Sequence, residues 1–378
     1  VDLYTAENLV SSLLNYFPIL LAILIFDLKA LGTSSIFVSL FLFCLSLVRI
    51  PTQNLILHAR DSKLSTGIVS RHFLTTVCFV SWAIAFSTTI ALGFSFVLSL
   101  TISICLVAAI LGEFGRSWLL YLSKFGLLFS LYAVRLVVLI TLLAYSNFRN
   151  AVEIDLILVL WFLSMPLSLL FYLAALQDLR ENLSGAKESR VSFLLFSSSG
   201  TIIASLASYL SSLLFLFVGQ IEMRGVIQFA LTIFLPCSFL LNSSMNREMG
   251  NHDWNKELFV SSRKPYINMA LVCFLIAISL HVVFLEVELS PSILFLYVAT
   301  LITQLLQFSV VHSSLSMIRL GKVSIIFKRK VTWASLFVSS SLLGAQANSY
   351  YIVGSMYLIV EFIFLIMLRK DLFWETRV

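Results

Sequence analysis

The chain has 378 residues, of which 60% are hydrophobic and 12% charged, and its mean hydropathy is +1.00. A soluble domain carries about 25% charged residues, so this composition excludes both a water-soluble globular protein and a disordered one and makes the bilayer the solvent. The net charge of +6 is spread over short loops, a pattern that reports membrane topology rather than nucleic-acid binding.

A helix needs about 20 apolar residues to cross the roughly 30 Å hydrocarbon core. In chain order the sequence predicts spans at 9–28, 34–58, 72–91, 93–112, 125–146, 154–176, 194–218, 224–245, 266–285, 291–317, 331–347 and 351–368. Two boundaries follow from length alone. The 41 residues between Arg71 and Glu113 carry no charge, too many for one crossing, so they fold as a hairpin turning near Ala91-Leu92-Gly93. The run from Lys330 to Glu361 turns likewise at "GAQANSYY" (344–351). The expected fold is an all-α polytopic membrane protein of twelve transmembrane helices. The first apolar run lacks a small-residue cleavage site, so no signal peptide is expected. The chain opens on Val1 rather than methionine, which is consistent with further residues before it.

With an even number of spans, both termini and every second loop share one side. Twenty of the 25 Lys and Arg residues fall on that side, three (Lys29, Arg149 and Arg224) on the other, and two (Arg49 and Arg135) inside spans. Cytoplasmic loops hold the positive excess, so both termini are expected in the cytoplasm. The opposite loops, near 29–33, 147–153, 219–223 and 286–290, leave no room for an external domain. The polar stretch "QDLRENLSGAKESR" (177–190) divides the chain into a six-helix lobe at 1–177, a cytoplasmic linker at 178–190 and a second six-helix lobe at 191–378. Pro51 and Pro236 sit at similar places in the second helix of each half, a faint echo of a repeat. Transporters built from repeats bind cargo between them near the midplane.

The stretch "SLVRIPTQN" (46–54) places a charge deep in the second span. Arg49 is about ten residues from the cytoplasmic end of its span, roughly 15 Å deep at 1.5 Å per residue, and Arg135 reaches a similar depth in the fifth. A central arginine costs about 2.5–3.5 kcal/mol even on a lenient insertion scale, so each needs a wet cavity or a counter-charge. Two readings stay open. One is a structural ion pair with Glu361, a deep carboxylate of the last span. The other is a cationic cavity, because one glutamate does not neutralise two arginines. Gln53, at i+4 from Arg49, extends the same helix face, and Pro51 frees backbone carbonyls beside it. A guanidinium fork holds two phosphate oxygens at once, so Arg49, Arg135 and Gln53 form a candidate site for an anionic headgroup such as a lipid pyrophosphate. Asn15, Gln304, Gln307 and His312 are candidates either to line that cavity or to make interhelical hydrogen bonds. Glu361 shares a face with Gly354 and Tyr357 and is a candidate for ion coupling.

The five cysteines (Cys44, Cys78, Cys105, Cys237 and Cys273) all lie in apolar runs and read as small buried hydrophobes. The chain has no glycine-rich phosphate loop, no paired metal ligands and no grouped triad residues. No metal, cofactor or catalytic residue is therefore expected, and the protein is read as a non-enzyme.

Three stretches carry a family resemblance. "SSLLNYFPILLAILIFDLKALGTSSIFVSLFLFCLSLVR" (11–49) resembles the opening of the polysaccharide flippases of the multidrug/oligosaccharidyl-lipid/polysaccharide exporter superfamily. "MRGVIQFALTIFLPCSFLLNSSMNREM" (223–249) is similar to the eighth helix of that family, and "SMIRLGKVSIIFKRKVTWASLFVSSSLLG" (316–344) to its passage from the tenth helix to the eleventh. The resemblance implies a two-lobed bundle around a central cationic cavity that opens alternately to each side. The implied cargo is a polyprenyl-pyrophosphate-linked oligosaccharide, moved to the outer leaflet of the bacterial inner membrane for a surface polysaccharide such as the O-antigen of lipopolysaccharide. Arg49 and Arg135 are then the headgroup arginines, and membrane lipids and other polysaccharide-assembly proteins are the implied partners. Three rivals stand beside this reading. A multidrug exporter of the same superfamily would favour acidic cavity residues. A major-facilitator carrier would carry a signature loop that "LHARDSKLSTG" (57–67) does not reproduce. A membrane-embedded polysaccharide polymerase would carry a large external loop.

Overall fold

The computed structural model describes residues 3–25, 28–62, 71–148, 154–182, 191–238, 240–241, 263–284, 288–319 and 323–373. Every regular element among them is helical: α1 Leu3–Asn15, α2 Phe17–Ile25, α3 Leu28–Ser62, α4 Arg71–Ala91, α5 Phe96–Tyr121, α6 Phe125–Phe148, α7 Ile154–Leu163, a 3-10 turn Met165–Ser168, α8 Leu169–Asn182, α9 Val191–Phe217 and α10 Ile221–Ile233. The chain continues with α11 Arg263–Phe284, α12 Pro291–Arg319, α13 Val323–Ala347 and α14 Tyr350–Phe373. Eight of the described helices are long and apolar enough to cross a membrane. Helices satisfy every backbone polar group internally, as hydrocarbon requires. The chain is an all-α, multi-pass membrane protein.

Proline accounts for most departures from straight spans. The first span, expected as one helix over 9–28, is two helices that meet at Tyr16. Pro18 has no N–H to give the Leu14 carbonyl four residues back, and the indole Nε1 of Trp161 donates to that carbonyl instead, at 3.0 Å. The span expected at 154–176 is interrupted by the 3-10 turn that contains Pro166. The span expected at 224–245 has a break after Ile233, two residues before Pro236. α3, in contrast, runs through Pro51. The hairpin between α4 and α5 turns on Gly93, whose φ of +86° is one that glycine adopts without steric cost. Asn348, at φ 48°, turns the chain between α13 and α14. Asparagine tolerates that left-handed region better than most residues.

Residues 1–18 and 37–202 form one compact unit, and residues 19–36 and 203–378 form another. Of the expected linker 178–190, residues 183–190 lie outside the described residues. In the first unit, α5 packs against the 3-10 turn and α8 along a glycine seam. A Cβ on Gly112 would stand 2.4 Å from the Ser168 carbonyl oxygen, and one on Gly115 2.4 Å from the Tyr172 backbone nitrogen. Small residues of this kind let helices approach closely in a medium that supplies no hydrophobic drive between them. An aromatic cluster closes the space beside the seam: Trp161 meets Phe41 edge-to-face with centroids 4.9 Å apart, and Phe162 meets Phe37 at 5.8 Å. In the second unit Gly225 and Gly32 make the same kind of approach, Gly225 against the Leu28 carbonyl and Gly32 against that of Ile221. All five cysteines are free thiols.

Gly115→Leu is expected to destabilise the first unit by about 1–3 kcal/mol through overpacking, seen as a lower thermal unfolding midpoint in detergent or nanodiscs. Gly126→Ala, where a Cβ meets nothing within 4 Å, is the matched control and leaves the midpoint unchanged or slightly higher.

Candidate functional site

The first unit buries a cluster of ionisable side chains drawn from three helices. α1 supplies Glu7, α5 supplies Glu113 and Arg116 at i,i+3, and α6 supplies Tyr132 and Arg135, also at i,i+3. Residues three apart share one helix face, so α5 and α6 each present a pair to the interior point that Glu7 of α1 also reaches. Relative exposures are 0% for Glu7, 1% for Arg116 and 5% for Arg135. The Arg116 fork grips Glu7: Nε donates to Oε1 and Nη2 to Oε2, both at 2.7 Å. Its remaining arm, Nη1, donates to Glu113. The Tyr132 hydroxyl donates to Glu7 Oε1 at 2.5 Å and accepts from Arg116 Nε at 2.6 Å. Two carboxylates thus converge on one guanidinium, with a phenol bridging.

Arg135 is held differently. Its Nε reaches the Ser164 hydroxyl oxygen at a long 3.4 Å, and that hydroxyl spends its own proton on the Trp161 carbonyl at 2.7 Å. Arg135 Nη2 is buried without a hydrogen-bond partner among the described residues. An unmade bond at a buried charged donor costs more than about 1–3 kcal/mol, so it marks a place where something else belongs. Arg135 lines a cavity together with Ser11, Asn15, Glu113, Arg116 and Ser168. The space open to the centre of a water-sized sphere is about 20 Å³, room for one ordered water and far too little for a pyrophosphate or a sugar. Phe41 and Leu45 of α3 close one wall.

The expected site residues fall out as follows. Arg135 and Asn15 meet at this cavity. Arg49 follows Leu45 by one helical turn on α3, but its side chain and that of Gln53 lie outside the described residues. Gln304, buried on α12 in the second unit, accepts from the Tyr266 hydroxyl through its backbone carbonyl at 2.7 Å. Gln307 and His312 are half-buried on the same helix, and none of these three lines the cavity. Glu361 is buried on α14, where its Oε2 accepts from the Trp333 indole at 3.0 Å. Trp333 stacks on Phe337, which in turn stacks on Tyr357.

Two expectations about charge need correction. Arg116 was counted with the loop charges, yet it is buried inside the membrane-length segment Phe96–Leu120. Glu361 was taken as the available deep carboxylate, yet Glu7 and Glu113 are buried too. Arg224, expected at the outer edge of the span 224–245, is 2% exposed on α10, donating through Nε to Ser35 Oγ at 3.1 Å and through Nη2 to Gln228 Oε1 at 2.9 Å. In each case a charge beside an apolar run was read as the end of the run. The overlooked signal was face periodicity: Glu7, Ser11 and Asn15 recur at i, i+4 and i+8, one polar stripe along α1.

No protein-family model matches the chain, and neither a curated protein nor a solved structure is significantly similar to it.

Arg116→Met leaves two carboxylates buried without their cation and is expected to cost about 3–5 kcal/mol. The triple change Glu7→Gln, Glu113→Gln, Arg116→Met should recover most of that loss. Unfolding midpoints of the single and triple variants check both statements.

Proposed function

We propose that this protein is a transporter that flips a polyprenyl-pyrophosphate-linked oligosaccharide across the bacterial inner membrane by alternating access, for surface polysaccharide synthesis. Its finer topology, on this reading, is twelve spans with both termini in the cytoplasm. The observation that carries the reading is the buried, unpartnered Nη2 of Arg135 at a polar cavity in a membrane-length helix. Ionisable groups within membrane spans mark substrate or ion pathways by default. A guanidinium with a free donor is a receptor for an anion, and phosphate oxygens suit its planar fork. The resemblance of residues 11–49, 223–249 and 316–344 to polysaccharide flippases supports the same cargo.

A cationic drug is the poorer fit for this site. Glu7 and Glu113 would be its acceptors, and both already hold Arg116, whereas the open valence belongs to a cation. The cavity as it stands admits a single water, so cargo enters a different conformation from this one. Two conformations of unequal affinity are what alternating access requires. The lipid tail stays in the bilayer while the charged headgroup and sugars cross through protein.

Native mass spectrometry of the protein in lipid nanodiscs, wild type beside Arg49→Ala and Arg135→Ala, tests the reading. The expected result is a bound polyprenyl-pyrophosphate species in the wild type, depleted in both variants. Identical ordinary phospholipids in all three proteins would overturn it.

A further inference from the structure

Arg116 meets a carboxylate in the geometry with which a guanidinium meets a phosphate, two parallel N–H···O bonds from Nε and Nη2 to paired oxygens. Glu7 therefore fills the position that a headgroup's oxygens would take. The helix that carries it is a short wall of the cavity. α1 has only 13 residues and is cut off from α2 at Tyr16, where Pro18 removes a bond of the ladder. Its outer face, with Leu3, Leu9 and Leu13, is exposed. In lipid such a face gains nothing by packing, because hydrocarbon is as apolar as leucine. α1 turns a stripe of Glu7, Ser11 and Asn15 into the unit, all buried, beside the buried Leu14, whose carbonyl takes the Trp161 bond.

We propose that Glu7 is an internal stand-in for the cargo's pyrophosphate. Its carboxylate occupies the Arg116 fork while the site is empty, and the incoming anion displaces it, releasing α1 from α5 and α6 so that Arg116 and Arg135 hold the headgroup together. The proposal rests on the reading of Arg135 as a headgroup donor. The anion inherits the hydrogen bonds that Glu7 gives up, and the released carboxylate, which hydrocarbon does not tolerate as a bare charge, takes up a proton or moves to water with α1. An anion that takes the place of Glu7 receives Nε and Nη2 of Arg116, the Tyr132 hydroxyl that now donates to Glu7, and the unused Nη2 of Arg135. Displacement also supplies the room that a cavity of about 20 Å³ lacks. Arg116 thereby joins Arg135 as a guanidinium of the site.

The test uses the full chain in nanodiscs with farnesyl pyrophosphate as the probe and farnesol as the uncharged control. Hydrogen exchange of the wild type is read over residues 3–15, beside probe affinities of the wild type, Glu7→Gln, Arg116→Gln and Arg135→Gln. The expected result is faster exchange of α1 with farnesyl pyrophosphate and no change with farnesol. Affinity should fall in both arginine variants and tighten about tenfold in Glu7→Gln, because removing an internal competitor raises the binding-competent fraction. Unchanged or slower exchange of α1 on binding, with Arg135→Gln still losing affinity, would overturn the displacement and leave the headgroup reading standing. Equal loosening by farnesol would overturn it too, since the tail and not the anion would be acting. No binding by the wild type, or binding indifferent to Arg135→Gln, would overturn both. The exchange measurement needs no variant, so a poorly folding mutant does not blunt the test.

Discussion

Burying a guanidinium in hydrocarbon is the constraint around which the first unit is organised. Arg116 meets it by taking two carboxylates, one from a residue three positions away on its own helix and one from α1. Desolvating several charges is recovered only when geometry is good and the remaining hydrogen-bonding capacity is used. Tyr132 supplies the extra bonds. Because its members come from α1, α5 and α6, the cluster fixes the register of those three helices. The glycine seam then sets how closely α5 lies against the turn and helix that follow Ser164. Every nitrogen of the Arg116 guanidinium has a partner, whereas Nη2 of Arg135 has none among the described residues.

The second unit handles its buried arginine by other means. Arg224 has neutral partners, the Ser35 hydroxyl and the Gln228 amide oxygen, and Gln228 passes its own donor to Thr232 at 3.2 Å. A line of neutral dipoles spreads the charge without cancelling it. Elsewhere in that unit His281 Nδ1 and the Tyr297 hydroxyl lie 2.6 Å apart, and the Ser211 hydroxyl donates to Ser341 at 2.8 Å. These are interhelical polar contacts of the kind that hold membrane helices together where apolar packing is neutral. In the serine-rich α9 Ser211 makes such a contact, whereas Ser212 donates to the Ser208 carbonyl of its own helix at 2.9 Å.

Helical content and the hairpins at Gly93 and before Tyr350 are legible in the sequence, because each follows from a rule about length. An uncharged run of 41 residues exceeds one crossing. The charges at the edges of apolar runs are not legible by that rule, since hydropathy prices each residue as though it stood alone. Glu113 and Arg116 look like the end of a span until their mutual neutralisation is counted, after which α5 continues to Tyr121. Glu7 has its partner 109 residues away, a pairing no local window contains. From its type alone Asn15 could be placed as a cavity residue or a packing residue; it lies on the Glu7–Ser11 stripe and borders the small cavity beside Arg135. The breaks at Tyr16 and after Leu163 follow from proline, whose missing donor is visible in the sequence although its compensation by Trp161 is not.

The distance along the chain between Glu7 and Arg116 bears on how the protein is made. α5 reaches the membrane with its own counter-charge, because Glu113 and Arg116 neutralise one another within a single turn. α1 does not. Glu7 is synthesised 109 residues before the guanidinium that pairs with it, and a lone carboxylate in hydrocarbon either takes up a proton or stays at the surface. For this pair the spacing implies an order of assembly that inverts the order of translation: α1, made before α5, takes its seat after it.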